Sequence, residues 1–252
     1  MDNRFSHIRV ALDGPSGAGK STIAKEVAKR TGLIYVDTGA LYRTVGLYAA
    51  EHGISADDTD GIISCLPHID IKLAYEEGAQ KVYLNGSSVG DKIRTENASY
   101  YASAVSKIPE VRAFLLGIQK KLADEGGVIM DGRDIGTVII PNAELKVFMT
   151  ASTEERARRR HKEQIEKGIN VSYEEVLDAI IKRDRQDSER EAAPLKPADD
   201  AVIFVNDGYG IEGSAEYIIK LMEEKTQIHR YTKKKKKKWK FSQSMKLGQL
   251  HQ

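Results

Sequence analysis

The chain has 252 residues, 40% hydrophobic and 30% charged, a balance that suits a globular protein with a sizeable core in one large domain or two small ones. No apolar run approaches the ~20 residues that span a bilayer, the opening MDNRFSHIRV lacks the apolar stretch of a secretory leader, and Cys65 is the only cysteine, so an internal disulfide is excluded and a reducing cytoplasm is expected. The formal charge of +2 is uneven: residues 230–252 hold nine basic and no acidic residues, which leaves 30 basic against 37 acidic, about −7, for the rest.

Ile8, Val10, Ala11 and Leu12 read as a buried strand. Gly14-Pro15-Ser16-Gly17-Ala18-Gly19-Lys20-Ser21 follows and fits G-x-x-x-x-G-K-[ST], the phosphate-binding P-loop. Ile23, Ala24, Val27 and Ala28 then share one face of a helix that stops at Gly32. Glycines let the backbone wrap an anion closely, and the loop N–H groups with the helix N-terminus supply oriented positive dipoles. The loop residues Gly14 to Ser21, with Thr22, are therefore the candidate ligands of a nucleoside triphosphate. Lys20 is suited to its β- and γ-phosphates and the Ser21 hydroxyl to Mg²⁺.

Leu33 to Val36 reads as a second strand ending at Asp37, and about Gly39 to Ala50 as a helix. At Ile69 the pattern changes to alternation, with a turn at Glu77-Gly78, a strand Lys81 to Leu84 and the Asn85-Gly86 hairpin signal. This small antiparallel insert, about 64–95, is too small for a core of its own and should pack on the main body. Helices resume over Glu96 to Ser106 and Pro109 to Leu122; Val128 to Met130 is a third core strand, running into Asp131-Gly132-Arg133-Asp134. Leu145 to Met149 is a fourth strand, and a very charged helix runs from Thr153 to about Lys167. Ser172-Tyr173-Glu174-Glu175 is a capping box for a helix to about Gln186. Ala201 to Val205 is a fifth strand and Ser214 to Glu224 a last helix. The fold class is α/β: a five-stranded parallel sheet with helices on both faces and the P-loop after its first strand, plus a small antiparallel β insert. Ligands of such sheets sit at the carboxyl ends of the strands, which singles out Asp13-Gly14, Asp37 and Asp131 to Asp134.

GTPase base-reading motifs of the N-K-x-D type are absent. Arginines instead stand at strand ends and helix starts: Arg43, Arg112, Arg133, Arg183 and Arg190, whose forks fit phosphate oxygens. Together Asp13 to Ser21, Asp37-Thr-Gly-Ala-Leu-Tyr-Arg43, Asp131-Gly-Arg-Asp-Ile-Gly-Thr137, Arg183-Asp-Arg-Gln-Asp187, Arg190 and Ala193-Pro-Leu195 resemble the bacterial cytidylate kinases over about residues 7–225. The resemblance implies a nucleoside-monophosphate-kinase fold: a kinase domain over 1–228 with its core at 7–63 and 96–228, the insert at 64–95 and a lid at about 151–170. It also implies Mg²⁺-dependent phosphoryl transfer from ATP to CMP or dCMP by a monomer without a membrane or an obligate protein partner. Thr38 and Arg43 would lie in the acceptor site, Ser103, Arg112 and Asp134 would read cytosine, and Arg183 and Asp187 would hold the ribose. Arg133 and Arg190 would join Arg43 on phosphate oxygens, and Lys20, Arg133, Arg190 and the lid residues Arg156 and Arg160 would stabilise the transferring group. Thr38 stands where the family often has serine, and the hydroxyl is kept. The alternatives are another small-molecule P-loop kinase, acting on shikimate or dephospho-coenzyme A, or a nucleic-acid-binding protein with a regulatory P-loop.

The family pattern ends at about Lys225, before the run Lys233 to Lys238 with Trp239 beside it. Six adjacent lysines repel one another and residues 229–252 offer few core-forming side chains, so a disordered basic tail is expected there, the one place where nucleic acid could be attracted.

Overall fold

The computed structural model describes residues 3–76, 79–124 and 126–227. The expected turn at Glu77-Gly78 and the expected tail, with its lysine run and Trp239, lie outside the described residues. In chain order the elements are β1 (Arg9–Asp13), α1 (Lys20–Thr31), β2 (Ile34–Asp37), α2 (Thr38–Glu51), α3 (Thr59–Cys65), β3 (Ile71–Glu76), β4 (Ala79–Leu84) and β5 (Ser87–Ser88). They continue with α4 (Glu96–Val105), α5 (Pro109–Asp124), β6 (Val128–Gly132), β7 (Leu145–Thr150), α6 (Thr153–Glu166), α7 (Tyr173–Glu189), β8 (Val202–Val205) and α8 over residues 211–227. Among the described residues no helix is long and apolar enough to cross a membrane.

Five strands form one parallel sheet in the order β2-β6-β1-β7-β8. Alternate residues of each strand serve opposite faces. Val10 and Leu12 of β1 join Ile129, Val147 and Met149 against Ile23 and Val27 of α1 and Ile218 and Met222 of α8. Ala11 joins Val36, Val128 and Met130 against Ala123, Leu116 and Leu122 of α5. Both faces of the sheet are thus covered by helices, as a parallel sheet requires.

The second sheet is antiparallel, β3-β4-β5. Its buried residues Ile71, Val82 and Leu84 share one cluster with Leu41 and Val45 of α2 and Leu115 of α5, so it has no separate core. Asn85 (φ 49°) and Gly86 (φ 81°) both take positive φ at its second turn, as the Asn-Gly pair predicts. The capping box also forms: Ser172 Oγ accepts from Glu175 N, and Ser172 N donates back to Glu175 Oε2 at 2.8 Å.

Several elements differ from the sequence reading. Helix α3 carries no amphipathic repeat long enough to register; Asp58 caps it by accepting from Gly61 N, and Ile62 and Cys65 bury one face. Burial pushes the Cys65 thiol above its usual range, in keeping with a core residue. The stretch Ile135–Ile139 forms a π-helical turn, because the Asp13 carboxylate gathers Ile135 N and Gly136 N, each at 2.8 Å. Helix α8 begins at residue 211, ahead of Ser214, whose hydroxyl turns inward to Asn206 Oδ1 at 2.9 Å.

Candidate active site

The carboxyl ends of β1, β2, β6 and β7 open on one edge of the sheet, where a cleft of about 1290 Å³ lies between the P-loop, the start of α2, α4, α6 and α7. The P-loop turns immediately after β1. Gly14 has φ +148°, and a Cβ built there would stand 1.9 Å from Met149 O, so no other residue fits between β1 and β7. Ser16, Gly17, Gly19, Lys20, Ser21 and Thr22 line the cleft, while Gly14, Pro15 and Ala18 form the loop's back. Asn206, just after β8, braces it by donating from Nδ2 to Ala18 O at 3.0 Å.

Lys20 is 5% exposed, and its Nζ donates to Pro15 O at 2.8 Å. Burial, with Arg133 close by, pushes its pKa well below the ordinary lysine range. Ser21 Oγ donates to Asp131 Oδ2 at 2.6 Å, and Tyr35 Oη donates to Asp131 Oδ1 at 3.2 Å. Burial, reinforced by the nearby Asp37, pushes the Asp131 carboxyl up to about 6, and burial does the same to Asp13. The sequence marks Asp131 by its place at a strand's carboxyl end and carries no motif that assigns it a metal or phosphate.

Opposite the P-loop, Arg43, Arg112, Arg133, Arg183 and Arg190 converge from α2, α5, the turn after β6 and α7. Arg43 Nη2 pairs with Asp37 Oδ2 at 2.6 Å, and the same carboxylate caps α2 by accepting from Ala40 N at 3.0 Å. Thr38 Oγ1 donates to Asp131 O at 2.7 Å. Arg133 Nε pairs with Asp187 Oδ2 at 2.9 Å. Burial works to raise the Asp187 pKa, but Arg133 and Arg183 outweigh it and hold the carboxyl below its usual range. Arg112 pairs with Asp134 and lies over the Tyr42 ring, 5.8 Å from its centroid. Ser103 Oγ donates to Gln186 Oε1 at 3.3 Å.

Among the described residues three of these five guanidinium groups pair with carboxylates, Asp37, Asp134 and Asp187. Arg43 Nε, Arg183 Nε and Arg190 Nη2 are buried without any hydrogen-bond partner. Burial and Arg133 push the Arg183 pKa down to about 10, and burial and Arg112 lower that of Arg190. A buried, partnerless guanidinium N–H is costly, and the five arginines, all lining one cleft, suit that cleft to an anion.

The charged helix α6 departs from expectation at Arg156. This side chain is 4% exposed and does not line the cleft. Its guanidinium donates to Ser16 O at 3.1 Å and to Asp184 at 2.6 Å and 3.0 Å, tying α6 to the P-loop and to α7. The arginines of α6 that face the cleft are Arg159 and Arg160. Arg159, absent from the sequence reading, donates to Asn206 O at 2.8 Å. Its signal was the run Arg158-Arg159-Arg160, in which helical spacing alone does not say which member turns inward. Tyr209 and Ile211, about half exposed, line the same end of the cleft.

No cluster of three or more His, Cys, Asp or Glu side chains suited to a metal occurs among the described residues. Ser21 and Asp131 offer one hydroxyl and one carboxylate beside the P-loop, a hard-oxygen pair that fits Mg²⁺, which commonly takes one or two protein oxygens and completes its shell with phosphate and water.

A parallel sheet with a phosphate loop after its first strand, facing an arginine-lined recess across the cleft, places the chain among the P-loop kinases. A family model for cytidylate kinase matches residues 10–224. Among curated relatives, a cytidylate kinase of Exiguobacterium is 47% identical over 217 residues, covering 86% of this chain and 97% of the relative. One of Caldicellulosiruptor bescii is 49% identical over 214 residues, 85% and 95% of the two chains, and one of Carboxydothermus hydrogenoformans 47% over 216 residues, 86% and 96%. The chain belongs to the cytidylate kinase family.

Proposed function

We propose that the cleft catalyses Mg²⁺-dependent, reversible transfer of the γ-phosphoryl group of ATP to CMP or dCMP, giving ADP and CDP or dCDP. The observation that carries this reading is that Arg43, Arg133 and Arg190 line the same cleft as the P-loop, on its opposite side. They supply a second phosphate site facing the first, which is what transfer between two phosphates requires and what hydrolysis of a single triphosphate does not.

Residues 14–22 cradle the donor phosphates, with Lys20 on the β- and γ-oxygens. Arg159, Tyr209 and Ile211 suit the donor's base and sugar by stacking and apolar contact. Ser21 and Asp131 hold Mg²⁺, which supplies charge neutralisation on the β- and γ-phosphates. Arg43, Arg133 and Arg190 grip the acceptor phosphate, and Arg183 and Asp187 hold the ribose. Lys20 from the P-loop and Arg133 from the turn after β6 both line the cleft and bracket the path of the transferred group. The acceptor oxygen is already anionic, so no general base is needed; positioning and charge stabilisation carry the rate. Arg160 faces the cleft from α6 and adds positive charge when that helix approaches the donor. Arg156 supports the same end from behind, as the tie between Ser16 and Asp184.

Cytosine presents an exocyclic amine to donate and N3 and O2 to accept. Asp134 accepts from the amine, while Arg112 and Ser103 donate to the ring acceptors. Uracil reverses two of these groups and leaves buried polar atoms unpaired, a strong basis for discrimination. On this reading the enzyme acts on ATP and CMP or dCMP, as a cytoplasmic monomer.

Calorimetric titration tests the anion receptor. CMP is expected to bind at least about tenfold more tightly than cytidine, the minimum for one charge-assisted contact set. Equal affinity for the two would mean that the arginine recess does not receive the acceptor phosphate.

A further inference from the structure

Strand β2 is an edge of the main sheet. Ile34 N donates inward, to Gly127 O at 2.8 Å, so the N–H groups of Tyr35 and Asp37 point away from β6. An outward-facing edge normally leaves such groups to water or to another strand. Here two side chains of the insert take them. Tyr75 Oη accepts from Tyr35 N at 3.1 Å. Gln80 Oε1 accepts from Asp37 N at 2.9 Å, and Gln80 Nε2 donates to Asp37 O at 3.3 Å.

Tyr75 and Gln80 are cross-strand partners in the β3–β4 hairpin. Side chains of such a pair share one face, so the hairpin presents both to β2 at once. The Gln80 primary amide grips the Asp37 backbone as a neighbouring strand would. Asp37 in turn fixes two things: Oδ1 caps α2 through Ala40 N, and Oδ2 holds Arg43 at 2.6 Å. The next residue, Thr38, is tied to Asp131 O. Gln80 reaches none of the cleft's open space and acts only through Asp37.

We propose that Gln80, seconded by Tyr75, is a positioning residue for the acceptor-phosphate site: the insert substitutes side-chain amide and hydroxyl groups for the missing edge strand and so sets Asp37 and Arg43. The inference rests on the reading of Arg43 as an acceptor-phosphate ligand. It assigns the insert a mechanical role in the site in addition to burying α2.

The test is a double-mutant cycle of Gln80→Met and Arg43→Ala, read by steady-state kinetics with CMP and ATP varied in turn and by CMP titration. Gln80→Met keeps the side chain's length and removes both hydrogen bonds. It is expected to raise KM and Kd for CMP by about 3- to 10-fold, the effect of one or two hydrogen bonds, and to leave KM for ATP unchanged. Tyr75→Phe is expected to shift the same constants in the same direction by less. On the Arg43→Ala background the Gln80→Met effect should vanish, because the residue it positions is gone. A Gln80→Met enzyme with unchanged CMP constants overturns the proposal, as does an equal rise for CMP and ATP, or an effect that persists without Arg43. A wild-type chain that does not turn over CMP would overturn the reading of the site as well; a wild type that does, with an unaltered Gln80→Met variant, overturns this inference alone.

Discussion

Lys20→Ala is expected to lower kcat by about 10²–10³-fold, the scale for losing one preorganised charge on a developing transition state, with the fold retained. Lys20 is 5% exposed, and burial drives its pKa well down. An anionic ligand beside it would favour its charged form. Among the described residues Lys20 Nζ donates to Pro15 O, so the variant loses one hydrogen bond of the fold and most of what the lysine does for a phosphate. Single-turnover kinetics beside a circular dichroism spectrum separate these effects. Turnover within about tenfold of wild type, less than about 1.4 kcal/mol of barrier, would remove Lys20 from the chemistry.

Asp134→Ala is expected to lower the ratio of kcat/KM for CMP over UMP by about 1–3 kcal/mol, because the acceptor for the cytosine amine is lost. Asp134 is 4% exposed and paired with Arg112, so the variant also leaves a guanidinium without its carboxylate. Breaking a fully buried pair costs about 3–5 kcal/mol, and Arg112, partly open to the cleft and resting on Tyr42, should fall toward the low end. A lower melting temperature is therefore expected too. The CMP-to-UMP ratio is measured on the same enzyme sample, so a reduced folded fraction cancels from it. An unchanged ratio would give Asp134 the role of holding Arg112 and nothing more.

The parts of the molecule that local pattern describes were legible in the sequence. The P-loop, the capping box at Ser172 and Glu175, the Asn85-Gly86 turn and the alternation of strand and helix each depend on residues within about one element of one another, and periodicity and turn chemistry report such relations directly. Arg43, Arg112, Arg133, Arg183 and Arg190 do converge on one cleft. What was not legible depends on contacts made across the sheet. The Ser21–Asp131 hydrogen bond spans 110 residues, and nothing near Asp131 in the sequence announces that a serine hydroxyl will meet it. The π-helical turn at Ile135–Ile139 exists because Asp13, more than 120 residues earlier, gathers its first N–H groups. Arg156 and Arg159 lie within one turn of the same helix, and only packing against Ser16 and Asp184 decides which is buried. Gln80 has no motif at all; its importance comes from the open edge that β2 leaves after pairing on one side only.

Phosphorus NMR of the wild-type chain with ATP, Mg²⁺ and CMP tests the central claim most directly, because it observes the transferred group itself. The cleft described here predicts that the β-phosphate signals of both ADP and CDP grow in step as the γ-phosphate signal of ATP falls, that CDP with ADP regenerates ATP, and that replacing CMP by cytidine abolishes the new signals. Release of inorganic phosphate without CDP would contradict it.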